Sequence, residues 1–538
     1  MPVTRPPNQS MRTTGSVFHW ASGLKEWVSA RIDLILGIVL CIVIGRLWLM
    51  PLGSSFWVDE MGSVFVVRHG AADPTLRVAP QVAASIYYWL PALTERIAGF
   101  SEVTYRFSSV LAMAGALFAI VRLARRLIDA HAGWFVAFAC LASRDFNYQA
   151  DDARPYALGT LVLSVALLKL VRWLDDGRWL DALLFAACAG LLWWVHLVFW
   201  PLYLVFIVYG GYRVWTREHR ATGAQIAGVA ACVLAACIPT GLHALEIARG
   251  ASAHVVASLP KFGDLLAALK LTLITGVCTL AALASRWSGW TPEQSSVLRR
   301  GSVILIAAWW ILDPLILFAF SLVTGNSLFL PRYMYVAAPG VALITCALVG
   351  VFLPRHAWKT AALALGCGVL VFGGRWGALW PQHQRSDWRT GARSLTVWAS
   401  GEEVPVICPS VFIEARSPVW RPGYPTQSFL YSHLAVYPTA GRLYTFPFEP
   451  SVQARSYARQ LAETDLLSAG RFAIFGGDQN VNYWRNWFAA EPALRDWKSS
   501  VRGIYGDVEL VTFESPNRQS AGNPADHNEP ITEASVRR

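Results

Sequence analysis

Charged side chains are scarce in this chain. Asp, Glu, Lys and Arg make up 15% of its 538 residues, whereas 54% are hydrophobic and the mean hydropathy is +0.39. In a soluble protein about a quarter of all residues are charged, so this composition excludes an ordinary soluble fold. Repeated apolar runs approach the ~20 residues that a helix needs to cross a ~30 Å hydrocarbon core. The sequence therefore predicts an α-helical polytopic membrane protein.

Cysteine is also sparse and is poorly placed for cross-linking. Of the nine cysteines, only Cys408 lies outside the hydrophobic runs. Neither a disulfide framework nor a zinc-type spacing is indicated. The net charge of +11 comes from basic residues in the short loops between apolar runs, where they orient helices. Membrane lipids are therefore the expected surroundings, and no nucleic-acid partner is expected.

The hydrophobic runs predict about eleven transmembrane helices. They are residues 32–51, 104–125, 132–149, 156–173, 179–195, 197–213, 223–244, 264–284, 302–323, 334–353 and 360–379. Basic residues concentrate at one set of helix ends, which the positive-inside rule assigns to the cytoplasm. The N-terminus is then cytoplasmic, and the residues after 380 lie outside. The first span is expected to act as an uncleaved signal anchor.

Composition divides the chain into four parts. They are a cytoplasmic N-terminal tail (1–31), a transmembrane domain (32–380) with a long first outer loop (52–103), a small extracytoplasmic α/β domain (381–514), and a polar, disordered tail (515–538). Within the outer loop, Ala83–Ile97 is apolar and rich in Tyr and Trp, which is typical of an interfacial helix. In the α/β domain, Val404–Cys408, Arg471–Phe475 and Asp507–Phe513 read as strands.

Four clusters of polar residues share the outer membrane face in this topology. They are Asp59-Glu60 in the first loop, Asp151-Asp152-Ala153-Arg154-Pro155-Tyr156, the single His196 in a tight turn, and Arg332-Tyr333. Ionisable groups at a membrane surface are costly unless something uses them. Their convergence on one face predicts a single active site.

Glycosyl transfer from a lipid-phosphate sugar is chemistry that such a set can perform. A carboxylate, for which Asp59 is the candidate, accepts the proton of the attacking hydroxyl. Arginine forks, here Arg154 and Arg332, neutralise the departing phosphate. Glu60 and Asp152 could orient Arg154, the acceptor or a divalent cation. A transporter would more often place charged residues at the bilayer midplane and show internal repeats in hydropathy. The one feature of the sequence that favours transport is Asp313-Pro314, which lies inside a predicted span.

Each cluster also has a plainer interpretation when it is taken alone. Asp59 and Glu60 could simply be solvated, and Asp152 with Arg154 could be a local ion pair. His196 could cap a helix, and Arg332 with Tyr333 could anchor a span at the interface.

Together, in their order along the chain, these residues resemble a known family. Trp57-Val58-Asp59-Glu60 is followed by Ser85-Ile86-Tyr87-Tyr88, Arg106-Phe107-Ser108-Ser109, Asp152-Ala153-Arg154-Pro155-Tyr156, the His196 turn, Pro331-Arg332-Tyr333 and Ser386-Asp387-Trp388-Arg389. This order resembles the GT-C membrane glycosyltransferases, specifically the bacterial group related to protein O-mannosyltransferases and lipid A aminoarabinose transferases. The acid before Ala153-Arg154-Pro155-Tyr156 is Asp152, where the group more often has Glu.

The resemblance implies a GT-C fold in the bacterial inner membrane and an inverting transfer from a polyprenyl-phosphate-linked sugar. The acceptor is an envelope glycan, a lipid or a protein. It implies that Asp59 and Glu60 are catalytic, that Arg154, Arg332 and Tyr156 bind the donor phosphate, and that Asp152, His196 and Tyr333 support them. No cofactor is certain: members of the family with monophosphate donors need not use a catalytic metal, and a divalent cation (Mg²⁺ or Mn²⁺) on Asp59 and Asp152 stays open. A lipid or glycan flippase and a non-catalytic GT-C-like subunit are the alternatives.

Overall fold

The computed structural model describes residues 31–83, 85–249, 257–290, 298–373 and 381–519. The predicted N-terminal tail lies outside these residues except for Arg31, and so does the predicted C-terminal tail beyond residue 519. The described chain is mostly helical before residue 381 and mixes helices with strands after it.

Apolar runs form the helices of the first part. Those longer than one turn are α1 (Arg31–Gly53), α2 (Val58–His69), α3 (Trp89–Ala98), α4 (Glu102–Leu127), α5 (Gly133–Ala142), α6 (Arg144–Ala150), α7 (Tyr156–Asp176), α8 (Trp179–Val195), α9 (Leu197–Trp215), α10 (Gly223–Arg249), α11 (Phe262–Ala268), α12 (Leu271–Trp287), α13 (Arg300–Thr324), α14 (Pro331–Val349) and α15 (Trp358–Phe372). Within the described residues, seven of these helices are long and apolar enough to cross a membrane. The number is eight if α11 and α12, bent by 42° at their junction, form one span.

The predicted count of about eleven spans is not confirmed. The predicted span 132–149 consists of two helices, α5 and α6, which meet at Ser143. The backbone of Ser143 is extended, and its hydroxyl accepts the N–H of Phe146 at 3.3 Å, as an N-cap does. Each of the two helices is too short to cross a bilayer. The apolar helix α8 has 17 residues and α15 has 15, also below the length of the seven.

After residue 381 the chain builds one mixed sheet. Its elements are α16 (Trp388–Ala399), β1 (Pro405–Pro409), α17 (Ser432–Val436), β2 (Arg442–Phe446), α18 (Val452–Leu461), β3 (Arg471–Gly477), α19 (Asp478–Ala490), β4 (Lys498–Tyr505) and β5 (Val508–Glu514). The strand order is β2-β1-β3-β5-β4, with β2, β1 and β3 parallel and β5 antiparallel to both β3 and β4. The three strands that the sequence predicted are the buried central ones, and the two edge strands are more exposed.

The first outer loop packs against this sheet region, and the two share one hydrophobic core. Phe56 and Phe65 from the loop are buried in the same cluster as Trp388 and Phe429. A Cβ at Gly62 would lie 3.3 Å from the ring of Phe429, so α2 lies close against that segment. The loop is therefore held on both sides, by the membrane helices below it and by the sheet region above it.

The predicted interfacial stretch forms a short 3₁₀ turn followed by α3. Trp89, Leu93 and Ile97 lie one turn apart and are 55–80% exposed, whereas Tyr87 and Tyr88 face inward. An outward apolar stripe of this kind is typical of a helix at a lipid interface, where its placement stays a prediction.

Candidate active site

The start of α2 places two acidic side chains in different surroundings. Trp57 precedes the helix with extended backbone and donates its N–H to Glu60 Oε2 at 3.2 Å, which closes the first turn. Carboxylates in the first turn also complement the helix dipole. Successive helix residues point about 100° apart. Asp59 therefore faces an open cluster, while Glu60 faces the interior.

The open cluster consists of Asp59, Arg154 and Arg332. Asp59 Oδ2 lies 3.1 Å from Arg332 Nη1 and 3.7 Å from Arg154 Nη2. Arg154 also donates Nη1–H to the Asp59 backbone carbonyl at 3.2 Å. The side chains are 20%, 12% and 35% exposed, respectively, so the cluster is accessible from outside. Three segments that the sequence predicted to converge thus meet at one carboxylate, and Arg154 pairs with Asp59 instead of Asp152.

Aromatic rings line one side of the open cluster. The ring of Tyr156 lies 5.4 Å from His196 and 6.5 Å from Tyr333, and His196 lies 6.0 Å from Tyr333. The guanidinium of Arg154 lies over the Tyr156 ring at 5.7 Å, and that of Arg332 lies over Tyr333 at 5.5 Å. These cation–π contacts hold the two arginines in place. The predicted site residues Tyr156, His196 and Tyr333 are therefore adjacent to the cluster.

His196 serves as a helix cap. Its Nδ1 accepts the N–H of Val198 at 3.1 Å, so the plainer interpretation of this residue is confirmed. Burial, together with the charges of Arg154 and Arg332, lowers the pKa of His196 to about 3. The imidazole is neutral at physiological pH and does not repel an approaching cation or attract an anion by its own charge.

Glu60 is fully buried and its oxygens are occupied. Arg106 donates to both of them, with Nε 2.7 Å from Oε1, and the N–H of Ala153 lies 2.7 Å from Oε1. Burial alone would raise the pKa of Glu60, but the charges of Arg106 and His383 hold it below its usual range. Four donors, including the Trp57 N–H, leave no oxygen of Glu60 directed at the open cluster. This geometry argues against the predicted catalytic role of Glu60 and favours a positioning one.

Behind Glu60, two further carboxylates share one imidazole. His383 Nδ1 lies 3.1 Å from Asp151 Oδ1, and its Nε2 lies 3.4 Å from Asp152 Oδ1. Asp152 Oδ1 also accepts the indole N–H of Trp57 at 3.1 Å. Burial raises the pKa of both aspartates. For His383 burial acts downward, but Asp151 and Glu60 raise its pKa to about 10, so the imidazole is a cation.

Two residues of this interior network were not assigned to the site from the sequence. Arg106, at 0% exposure on α4, also donates to the backbone carbonyls of Leu52 at 2.9 Å and Ser54 at 2.6 Å. The sequence signal that could have identified Arg106 as a site residue is its position as an arginine near the start of an apolar helix. His383 lies in a short polar segment without a local motif, so its contact with Asp151 depends on the tertiary structure alone.

A metal ion on Asp59 and Asp152 was left open by the sequence. Among the described residues, the group spaced like metal ligands is instead Glu60, Asp152 and His383, whose ligand atoms lie within 4.8 Å of one another. Both oxygens of Glu60 already accept from the Arg106 guanidinium. Both ring nitrogens of His383 face carboxylates. Asp152 Oδ2 has no hydrogen-bond partner among the described residues, but a metal ion there would have to displace Arg106 from Glu60 and would face the imidazole of His383.

Comparisons with known proteins give one family match. The family model of dolichyl-phosphate-mannose-protein mannosyltransferases matches residues 83–243, a region that contains Arg106, Asp152, Arg154 and His196. No curated protein sequence matches the chain.

Several solved structures align with the chain at low identity. ArnT from Cupriavidus metallidurans in the apo state is 12% identical over 91% of this chain and 98% of that chain, with a TM-score of 0.41. ArnT bound to undecaprenyl phosphate is 11% identical over 89% and 97%, with a TM-score of 0.39. The Archaeoglobus fulgidus oligosaccharyltransferase, in complex with Zn and sulfate, is 11% identical over 86% and 71%, with a TM-score of 0.46.

The family match covers the segment in which the Asp152–Tyr156 motif and the His196 turn lie, and the same segment carries part of the motif order found in the sequence. Residues 83–243 of this chain are thus similar to the dolichyl-phosphate-mannose-protein mannosyltransferases.

Proposed function

We propose that this chain is an inverting glycosyltransferase. It moves a sugar from a polyprenyl-phosphate donor to a hydroxyl group of an envelope glycan, lipid or protein, at the outer face of the bacterial inner membrane. The observation that carries the proposal is the contact of Asp59 with Arg154 and Arg332, which brings a base and two phosphate-binding cations to one accessible point.

The charge balance of the open cluster favours an anionic donor. Two guanidiniums surround one carboxylate, so one positive charge is unmatched within the cluster. Planar guanidiniums bind phosphate through paired hydrogen bonds, which a Lys ammonium cannot provide. The matching family is described by dolichyl phosphate mannose, a sugar on a polyprenyl phosphate, which supports this donor class.

In the proposed reaction, Asp59 accepts the proton of the acceptor hydroxyl as its oxygen attacks the anomeric carbon. The new carbon–oxygen bond forms on the face opposite the phosphate, so the anomeric configuration inverts. The bond from the anomeric carbon to the phosphate oxygen breaks, and its electron pair leaves with the polyprenyl phosphate. Arg154 and Arg332 neutralise the charge that develops there.

The interior residues act through Asp59 in this mechanism. Glu60 and Arg106 fix the first turn of α2, and Asp152 holds Trp57 in front of it. A base that is held within a fraction of an ångström of its working position contributes more than a mobile one. Glu60 and Asp152 are accordingly positioning residues.

Transport remains a second candidate because of one buried acid. Asp313 on α13 is 0% exposed, and neither of its carboxylate oxygens has a hydrogen-bond partner in the part of the chain that the structure describes. An intramembrane carboxylate of this kind is typical of ion or substrate pathways. The same test separates the two functions, since a flippase does not need the base Asp59.

The test compares envelope glycans and glycolipids by mass spectrometry in cells that lack the protein. The cells are complemented with wild type, with Asp59→Asn, or with the control Asp496→Asn, an exposed carboxylate in the segment between α19 and β4. One glycosyl mass should disappear in the deletion and return with wild type and with Asp496→Asn, but not with Asp59→Asn. Full return with Asp59→Asn would favour transport or a non-catalytic role.

A further inference from the structure

The interior network contains more carboxylates than guanidiniums. Glu60, Asp151 and Asp152 are at most 7% exposed, and Arg106 is the one buried guanidinium in contact with them among the described residues. Uncompensated buried charge is costly, so the two aspartates are charged only if a second cation lies next to them. In many carboxylate clusters a divalent metal ion has that position.

His383 has the geometry to be that second cation. Its imidazole has a side-chain exposure of 0% and lies between Asp151 and Asp152, with one ring nitrogen directed to each. The Tyr148 ring lies 4.4 Å away, close enough for its face to stabilise a positive charge. The backbone N–H of His383 donates to Ser54 Oγ at 3.3 Å, which ties the imidazole to the first outer loop.

The charges of the whole site are equal in number when His383 is counted as a cation. The carboxylates are Asp59, Glu60, Asp151 and Asp152, and the cations are Arg106, Arg154, Arg332 and His383. Without the imidazolium, Asp151 and Asp152 would both lack a cationic partner, because Arg106 pairs with Glu60. A metal ion in addition would leave the interior with excess positive charge and would have to displace Arg106 from Glu60.

We infer that His383 is an internal cation that holds Asp151 and Asp152 in the place where a divalent metal ion would otherwise sit. It is thereby a positioning residue: it fixes Asp152, which fixes Trp57 at the start of α2, next to Asp59. His383 also joins the chain segment before α16 to the site, so the sheet region and the membrane helices are coupled through it.

The inference predicts a gain of metal response when the imidazole is removed. Full-length wild type, His383→Ala and His383→Gln are purified in detergent, treated with EDTA, and heated with and without Mn²⁺. Wild type should hold far less than one divalent ion per chain and show no shift in Tm with Mn²⁺ or EDTA. His383→Ala leaves space among the carboxylates, so its Tm should be lower and should rise by about 2 °C or more with Mn²⁺.

The matched control is His433→Ala. His433 is also a buried histidine, but its neighbours are the rings of Trp388 and Tyr431 and not carboxylates. Its removal should lower the Tm without creating a response to Mn²⁺. His383→Gln keeps most of the volume and removes the charge, so it should be destabilised and should stay insensitive to Mn²⁺.

Two results would overturn the inference. One is a wild type that carries about one divalent ion per chain and loses Tm on EDTA treatment, which would make His383 a metal ligand. The other is a folded His383→Ala without any Mn²⁺ response. If His383→Ala does not fold, His383→Asn serves in its place, because the smaller amide still opens space beside the aspartates.

Only the kinetic readout rests on the proposed function. In a transfer assay, His383→Gln should lower kcat with little change in donor KM, since Arg154 and Arg332 are untouched, and Mn²⁺ should restore part of kcat in His383→Ala. The metal content and the Tm are measured without turnover. A wild type that transfers no sugar but shows the predicted Tm behaviour would therefore refute the function and leave the role of His383 intact.

Discussion

Two charge clusters lie side by side at the start of α2 and differ in almost every property. The open cluster, Asp59 with Arg154 and Arg332, has side chains that are 12–35% exposed and one positive charge that is unmatched. The sealed cluster around Glu60 and Arg106 is at most 7% exposed, and each oxygen of Glu60 has donors. Exposure with an unmatched positive charge indicates where an anionic ligand binds, whereas the occupied oxygens of Glu60 indicate a structural role.

The two histidines follow the same division. His196 borders two arginines and is neutral, while His383 borders two aspartates and is a cation. The same side chain therefore has opposite charge in the two clusters, because the neighbouring charges differ in sign.

The largest effect on the transfer rate is expected at Asp59, the acidic residue of the open cluster. Asp59→Asn should lower the transfer rate about 10²- to 10⁴-fold, because the amide cannot accept the hydroxyl proton, and should leave the Tm nearly unchanged. An initial-rate assay with a labelled donor and a thermal unfolding scan measure both effects. A variant with more than half of the wild-type rate would remove Asp59 from the role of base.

Substitutions in the sealed cluster should lower the stability of the fold more than they change the transfer reaction itself. Arg106→Leu leaves the Glu60 charge buried without a partner and should cost about 3–5 kcal/mol, seen as a large fall in Tm. The control is Arg442→Ala, which breaks the exposed ion pair with Asp465 and should cost less than about 1 kcal/mol. Equal losses in both variants would mean that the buried pair has no special structural weight.

Donor affinity should depend on the open cluster. Arg332→Ala removes charge-assisted hydrogen bonds worth about 1.5–3 kcal/mol, so the donor KM should rise roughly 10- to 100-fold. Arg502→Ala, an exposed arginine on β4, is the control and should leave the KM unchanged. An unchanged KM in Arg332→Ala would place the phosphate elsewhere.

Acid should weaken the open side of the site through His196. Its folded pKa of about 3 lies below the ordinary value of about 6.5, so the unfolded chain binds the proton first. The stability associated with the neutral ring is therefore complete above about pH 6.5 and falls as the pH drops toward 3. The groups that face the ring are Arg154, Arg332, Tyr156 and Tyr333.

His196→Asn keeps a capping side chain and does not titrate. The difference in Tm between wild type and this variant should shrink steadily from pH 7 to pH 5. A difference that is independent of pH would show that the proton on His196 does not contribute.

The smallest effect is expected at an aromatic ring. The hydroxyl of Tyr156 is buried without a hydrogen-bond partner in the described part of the chain and lies beside Arg154. If it binds the donor phosphate, Tyr156→Phe should raise the donor KM about fivefold, equivalent to about 1 kcal/mol, with kcat and Tm unchanged. A KM equal to that of wild type would limit Tyr156 to its ring contacts.

Sequence reasoning was strongest where the signal is local. Hydrophobic length identified a multi-spanning membrane protein, because crossing a bilayer demands apolar runs that are visible in the chain itself. The three central strands were found because most of their side chains are apolar, whereas the exposed edge strand β4 carries mostly polar side chains. The membrane faces assigned from basic residues brought Asp59, Arg154 and Arg332 to one site, and the structure places them in contact.

Tertiary structure alone decided which of two adjacent acids is accessible. In the sequence, Asp59 and Glu60 are two adjacent acidic residues that no local pattern distinguishes. The direction of each side chain is set by the helix and by Arg106, which lies on another helix. The break of span 132–149 at Ser143 depends on one capping hydrogen bond, which an apolar pattern does not reveal. His383 meets Asp151 from a segment more than two hundred positions away. Buried charges are compensated by residues that lie far apart in the sequence and meet only in the folded chain. For this reason no local sequence pattern could predict these pairs.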